Sequence, residues 1–312
     1  MTKKEQYKKL LPTLKGVPLF LNDWWLDAVC VDWDVAIAYN GDNVSGVWVY
    51  PAEQKMGVSI IRTPVFTPYI GPVVFYPSDL KPTKRDSFEY EVITDLLSQI
   101  PDAKVWHISL QPQLKQAGLF NSKDFEIVVR QTYLMPLDEG EEAVFARLHE
   151  DHRRKVRKAE KTLVIEEDHT QIDTLFDFQQ TTLSSKKVQI PYSKEQLKKV
   201  FTLCKEKGNA TLWVARKGEN VQAVVWQVWD EERSYYLMGS KNPTIKDNNA
   251  MVALLWQAIK KSISLGHKTF DFEGSMDAGV EQFFRNFGGD KQLYLVLKKN
   301  NSALWKLKEA VR

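Results

Sequence analysis

The chain has 312 residues, enough for about two domains of ordinary size, and its 43% hydrophobic and 12% aromatic content supplies packed cores and excludes a disordered polymer. Forty-three Lys and Arg against 40 Asp and Glu leave a formal charge of +3, too small for composition alone to announce a nucleic-acid binder. Cys30 and Cys204 form no metal-type pair, no apolar run reaches about 18 residues and the N-terminus has no signal-peptide core, so a cytoplasmic monomer without membrane insertion is expected.

In chain order, VAIAYN (35–40) and SGVWVYP (45–51) read as strands around a tight turn at Gly41, and the Pro- and aromatic-rich TPVFTPYIGPVVFYP (63–77) follows. DSFEYEVITDLLSQI (86–100) carries Phe88, Val92, Ile93, Leu96 and Leu97 at helical spacing and stops at Pro101; KVWHISL (104–110) is a short strand. The second half repeats this order. TLWVAR (211–216) and QAVVWQVW (222–229) flank a turn at Gly218, SYYLMGS (234–240) is a third strand, and NNAMVALLWQAIKKSISLG (248–266) is a helix with Gly266 as C-terminal cap. KTFDFEG (268–274) reads as the strand after it.

AYNGDNVSGV (38–47) and ARKGENVQAV (215–224) match at five of ten positions at one offset; Gly71 lies over Gly239 and Lys104 over Lys268 at slightly different ones. Three landmarks in one order point to a duplicated fold. The expected class is α+β with mixed sheets, as two tandem domains over 1–125 and 126–299. A strand pair, a third strand, a helix and a further strand form the core of the GNAT fold.

Two further stretches carry candidate chemistry. LHEDHRRKVRKAEKTLVIEED (148–168) belongs to a helix expected to run from near Glu142 to just before Leu163, with Val144, Leu148, His152, Val156 and Ala159 as its inner stripe. Arg147, Arg154, Lys158 and Lys161 share another face, which either contacts phosphates or is simply solvated. His149 and His152 have no third ligand at metal spacing, and no metal is expected. The other stretch, FDFEGSMDAGVEQFFRNFGG (270–289), reads as strand, short helix and Gly-Gly turn.

RRKVRKAEK, YYLMGSKN, the 248–275 stretch and VEQFFRNFGG together resemble the Fem-type (FemABX) transferases and their tandem-GNAT relatives, a group that includes methicillin-resistance proteins; TPVFTPYIGP is also similar to theirs. The resemblance implies two GNAT-like domains, with the acceptor on the side of the first and the chemistry in the second. It also implies that residues 300–312, expected to be a short helix, rejoin the first domain. Fem-type enzymes move an amino acid from aminoacyl-tRNA to an amine of a peptidoglycan-precursor peptide; other relatives use acyl-CoA. The strand-like LVIEED after Thr162 leaves no room for the coiled-coil arm of some members.

GNAT enzymes hold the CoA pyrophosphate on an R/Q-x-x-G-x-G/A turn opening a helix. Laid over YLMGSK, that pattern fails at Tyr236 and Lys241, which favours aminoacyl-tRNA as co-substrate over CoA and implies no firm cofactor. Gly239, Lys241, Asn248 and Asn249 still offer a place for an anionic group, because Asn248 or Asn249 can cap the helix. Arg154, Lys158 and Lys161 complete the expected donor surface.

Asp271 and Glu273 alternate with Phe270 and Phe272, so both carboxylates are expected on one face of a strand, orienting the attacking amine or taking its proton; a half-exposed polar strand face is the plain alternative. Arg285, in FFRNFGG, stands where Fem-type members carry Lys, which leaves charge stabilisation but removes any proton relay. Tyr69 and Tyr236 are the candidate acceptor contacts. A CoA-dependent N-acyltransferase acting on a sugar amine or small metabolite is the alternative activity, and a GNAT scaffold retained only for binding is a third.

Overall fold

The structure, a computed structural model, describes residues 1–310, except for the side chains of 307–310. The chain forms two compact units, residues 1–130 with 293–312 and residues 131–292. The last two residues of the expected terminal helix lie outside the described residues.

Unit 1 opens with helices α1 (Lys3–Leu10) and α2 (Asp23–Val29). Strands β1 (Trp33–Asn40) and β2 (Asn43–Pro51) form the expected hairpin: Asn40 pairs with Asn43, and Gly41 takes φ 62° between them. After β3 (Glu53–Lys55) and β4 (Val58–Arg62), the Pro-rich stretch yields only β5 (Val73–Val74), which pairs with β2. Pro64, Pro68 and Pro72 lack an N–H to give to a ladder, so Gly71 lies in a loop rather than in a strand like its counterpart Gly239. Helix α3 (Arg85–Gln99) buries Val92, Ile93 and Leu96 in the unit 1 core. Strand β6 (Val105–Ser109) then runs parallel to β4, and α4 (Ala117–Asn121) follows.

Strand β7 (Glu126–Pro136) leads into unit 2. The single helix expected over 142–162 is two, α5 (Glu141–Arg147) and α6 (Glu150–Thr162). The break has a cause: the His149 N–H donates to Asn286 O at 2.8 Å instead of to its own helix, and Arg153 Nη1 donates to the carbonyls of Ala146 and Leu148. The apolar stripe survives the break, with Val144, Leu148, His152, Val156 and Ala159 all buried. Next come β8 (Val164–Glu167), α7 (Ile172–Ser185) and α8 (Lys194–Glu206).

The hairpin of β9 (Ala210–Lys217) and β10 (Asn220–Trp229) repeats the first, with Lys217 opposite Asn220 and Gly218 at φ 58°. Strand β11 (Arg233–Lys241), helix α9 (Asn249–Ser264), strand β12 (Thr269–Asp271) and helix α10 (Ala278–Arg285) follow. Strand β12 is parallel to β11 as β6 is to β4, so each unit places the strand after its helix the same way. Finally β13 (Asp290–Asn300) and α11 (Ala303–Ala310) return the chain to unit 1.

The strand order in unit 2 is β7-β12-β11-β10-β9-β8, and in unit 1 β3-β4-β6-β13 beside the smaller β1-β2-β5 sheet. Helix α9 is locked to unit 2 by a polar side chain. Buried Gln227 accepts from Trp213 Nε1 at 2.8 Å and donates to Ala258 O at 3.0 Å and Ser262 Oγ at 2.9 Å. Gln227→Leu keeps the volume but strands the buried indole N–H and a carbonyl lone pair. We expect a loss of about 2 kcal/mol, read from urea denaturation midpoints at constant m.

Candidate functional site

In unit 2 an open cavity of about 780 Å3 is lined by four elements. Strand β11 contributes Tyr236 and Gly239 to Lys241, the start of α9 contributes Asn248 and Met251, α10 contributes Val280, Phe283 and Phe284, and α7 contributes Thr181, Thr182 and Ser185. Helix α10 can present an apolar wall because Asp277 caps it, accepting from the N–H groups of Gly279 and Val280, bonds that hold its carboxyl below the usual range.

The N-terminus of α9 borders the cavity, but its groups are engaged differently from expectation. Asn248 stands at the N-cap without a side-chain cap bond; Asp247 Oδ1 accepts instead from Asn249 N at 3.0 Å. Lys241 Nζ donates to the carbonyls of Lys246 and Asp247, at 2.8 and 3.0 Å, and so ties down the loop before the helix. An anion arriving here meets the chain's own carboxylate at the helix dipole.

The carboxylates on the other side are arranged in depth rather than side by side. Strand alternation ends at Asp271, because Glu273 takes φ 57° and Gly274 φ 69°. Asp271 is fully buried; its Oδ1 accepts from Thr132 Oγ1 at 2.7 Å and from Glu273 N at 2.8 Å, and its Oδ2 lies 3.7 Å from Arg233 Nη1. The expected exposed face with two carboxylates is therefore corrected to one interior carboxylate and one turned aside by a left-handed backbone.

Burial first, then the charge of Asp271, pushes the Glu273 carboxyl well above the usual range, and its Oε1 is shielded from solvent without a hydrogen-bond partner. Tyr236 is next outward. Its phenol is pushed up by burial and then by Glu273, so it stays protonated, and its ring meets Phe284 edge-on at 5.6 Å. A Cβ on Gly239 would stand 2.6 Å from the Tyr236 hydroxyl oxygen, so the glycine is what leaves that phenol its place.

Of the residues expected from sequence, Tyr236, Gly239, Lys241 and Asn248 line this cavity, with Asn249 adjoining it in sequence and Glu273 behind Tyr236. Arg285 does not line it. It ends α10 with its side chain 54% exposed, 3.8 Å from Glu281, whose other oxygen accepts from the Tyr133 hydroxyl. Arg154, Lys158 and Lys161 are exposed on α6, outside the cavity lining, and Arg154 is ion-paired with Asp151 at 2.5 Å. Tyr69, in unit 1, is buried edge-on against Tyr294 and lines no surface there.

The sequence reading missed the cavity walls. Phe283 and Phe284 carry no mark of a cavity wall in the sequence; His152, kept neutral by burial that pushes its imidazole down to about 4, packs on Phe283 and lies 3.2 Å from its carbonyl. Helix α7 was missed altogether, though buried Ile172, Leu175 and Phe176 stand at helical spacing.

Residues 146–285 match the family described as acetyltransferase (GNAT) domain. Solved structures similar over nearly the whole chain include FemX, at 13% identity and a TM-score of 0.66 over 98% of both chains. A tandem GNAT protein from the clavulanic acid biosynthesis pathway matches at 8% identity and a TM-score of 0.53, over 92% of this chain and 98% of its own. The C-terminal domain of a protein described as a lysylphosphatidylglycerol synthetase from Agrobacterium fabrum matches at 14% and 0.51, over 86% and 84%. No curated protein matches the sequence. The chain thus has a two-domain GNAT fold shared with these structures, and residues 146–285 match an acetyltransferase (GNAT) domain. Among the described residues no helix is long and apolar enough to cross a membrane, and no group of three His, Cys, Asp or Glu is placed to hold a metal ion.

Proposed function

We propose that this two-domain acyltransferase joins an aminoacyl group, delivered as its tRNA ester, to an amine of a peptidoglycan-precursor peptide, with the unit 2 cavity as the reaction site. The observation that carries the reading is the occupied helix terminus: Asp247 caps α9 and Lys241 serves the loop, so the pyrophosphate of an acyl-CoA has no prepared cradle. The resemblance of residues 153–161, 235–242 and 280–289 to Fem-type transferases supports the same donor and acceptor class.

In the proposed step the neutral amine attacks the ester carbonyl, a C–N bond forms and the C–O bond to the ribose breaks. Glu273, ionised and lying behind Tyr236, takes the proton the amine loses by way of the Tyr236 hydroxyl, and the same route returns it to the departing ribose oxygen; a carboxylate of raised pKa is a stronger base than an ordinary one. Tyr236, held protonated, donates to the developing oxyanion or to the departing oxygen, and Asp271 fixes the Glu273 backbone through its N–H. Arg285, outside the cavity lining and beside Glu281, has no part in this step.

Hydrogen exchange tests the donor. Charged tRNA, and not acetyl-CoA, is expected to slow amide exchange over residues 241–250. Protection by acetyl-CoA alone would transfer the chemistry to a CoA-dependent N-acyltransferase acting on a sugar amine or small metabolite. That second reading is favoured by one feature, the 16-residue α9 opening on the cavity.

A further inference from the structure

Unit 1 has a second concave site, and its chemistry is set by strand register. On one face of the β4-β6-β13 sheet, Trp305 of α11 packs over Val58, Ile60 and Val105. Two residues further along, Arg62 stands opposite His107, and His107 opposite Lys298. Side chains two apart share a face and neighbouring strands lie about 4.8 Å apart, so a guanidinium, an imidazole and an ammonium occupy one row about 10 Å wide.

A cavity of about 640 Å3 opens over this row, bounded by Trp305 and Lys306 on one side and Asp124 and Glu126 on another. Arg62 is steadied by Glu53 at 2.9 Å while its side chain stays 48% exposed. Lys299 is turned elsewhere, its Nζ donating to Lys123 O and lying over the Phe125 ring. Arg62 and Lys298 flank His107 in this row, so a bound anion would meet a cation on either side.

We propose that this row binds a small molecule bearing a phosphate or diphosphate, whose organic part rests on the Trp305 indole. The Nη1 side of Arg62, whose Nε and Nη2 hold the two oxygens of Glu53, and the point charge of Lys298 suit phosphate oxygens. The cavity is larger than inorganic phosphate requires, which leaves room for that organic part. Asp124 and Glu126 on the rim repel a long polyanion and so favour a compact ligand over RNA. This site is independent of the reaction proposed for unit 2.

The test is calorimetric titration of the intact protein with inorganic pyrophosphate and with adenosine diphosphate. Saturable binding of either probe is expected, weakened about tenfold by Arg62→Ala and by Lys298→Gln, and unchanged by Lys246→Ala at the unit 2 cavity. Lys298→Gln removes a partly exposed charge that forms no ion pair among the described residues, so a correctly folded variant remains to be read if Arg62→Ala is unstable. Absence of saturable binding, full affinity in both folded variants, or loss of binding through Lys246→Ala would overturn the proposal. So would an RNA hairpin that binds through Arg62 and Lys298 when neither diphosphate does.

Discussion

Gly274→Ala is expected to lower the unfolding free energy by roughly 3–5 kcal/mol. A Cβ at this position would lie 2.0 Å from Gln131 O and 2.7 Å from Thr132 Cα, and the residue sits at φ +69°. Both obstacles are backbone, so no side chain can rotate away; the middle of β7 has to move off the segment that follows β12. Gly266→Ala is the matched control. Its φ is +76° but nothing lies within 4 Å, so only the left-handed penalty of about 1 kcal/mol remains. Urea denaturation of the two variants measures the difference. Equal costs would mean that Gln131 yields freely and that packing does not set the backbone at Glu273.

Glu273→Gln should cut kcat by about a hundredfold or more, because the variant keeps the shape and loses the proton acceptor. Stability should move the other way. The folded-state pKa of Glu273 lies well above its ordinary value of 4.5, so the folded protein holds this proton more tightly than the unfolded chain. Stability associated with the residue is therefore complete below pH 4.5 and is lost as pH rises from there through the folded pKa. The glutamine variant has no such loss, and its Tm advantage over the wild type should widen with pH from about 4.5 upward before levelling off. A slow variant whose Tm tracks the wild type across that range would place the carboxylate in water and remove it from the proposed step. An unimpaired kcat would exclude it as the base directly.

What could be read from the residues alone was local chemistry. Gly41 and Gly218 announce hairpins because a two-residue turn needs positive φ whatever surrounds it, and the stripe from Val144 to Ala159 keeps helical spacing even across the break at His149. Non-local causes stayed hidden. The break depends on Asn286, far along the chain, accepting the His149 N–H. The end of β12 depends on how closely Gly274 approaches Gln131, so the alternation that put Asp271 and Glu273 on one face was sound for a strand and wrong for these two residues. Thr181, Thr182 and Ser185 carry no pattern that marks a cavity wall. Arg62, His107 and Lys298 become neighbours only through the register of three strands.

Strand β13, drawn from the far end of the chain, completes the β6 edge of unit 1, from Val105 opposite Asn300 to Ser109 opposite Val296. At roughly 5–20 residues per second of synthesis, the ribosome spends about 10–30 s on residues 131–292 before that strand emerges. Throughout this interval the nascent amino-terminal half carries an unsatisfied sheet edge, open to chaperones or to a sister polypeptide. A gene fragment stopping at residue 130 would make that exposure permanent and should yield inclusion bodies.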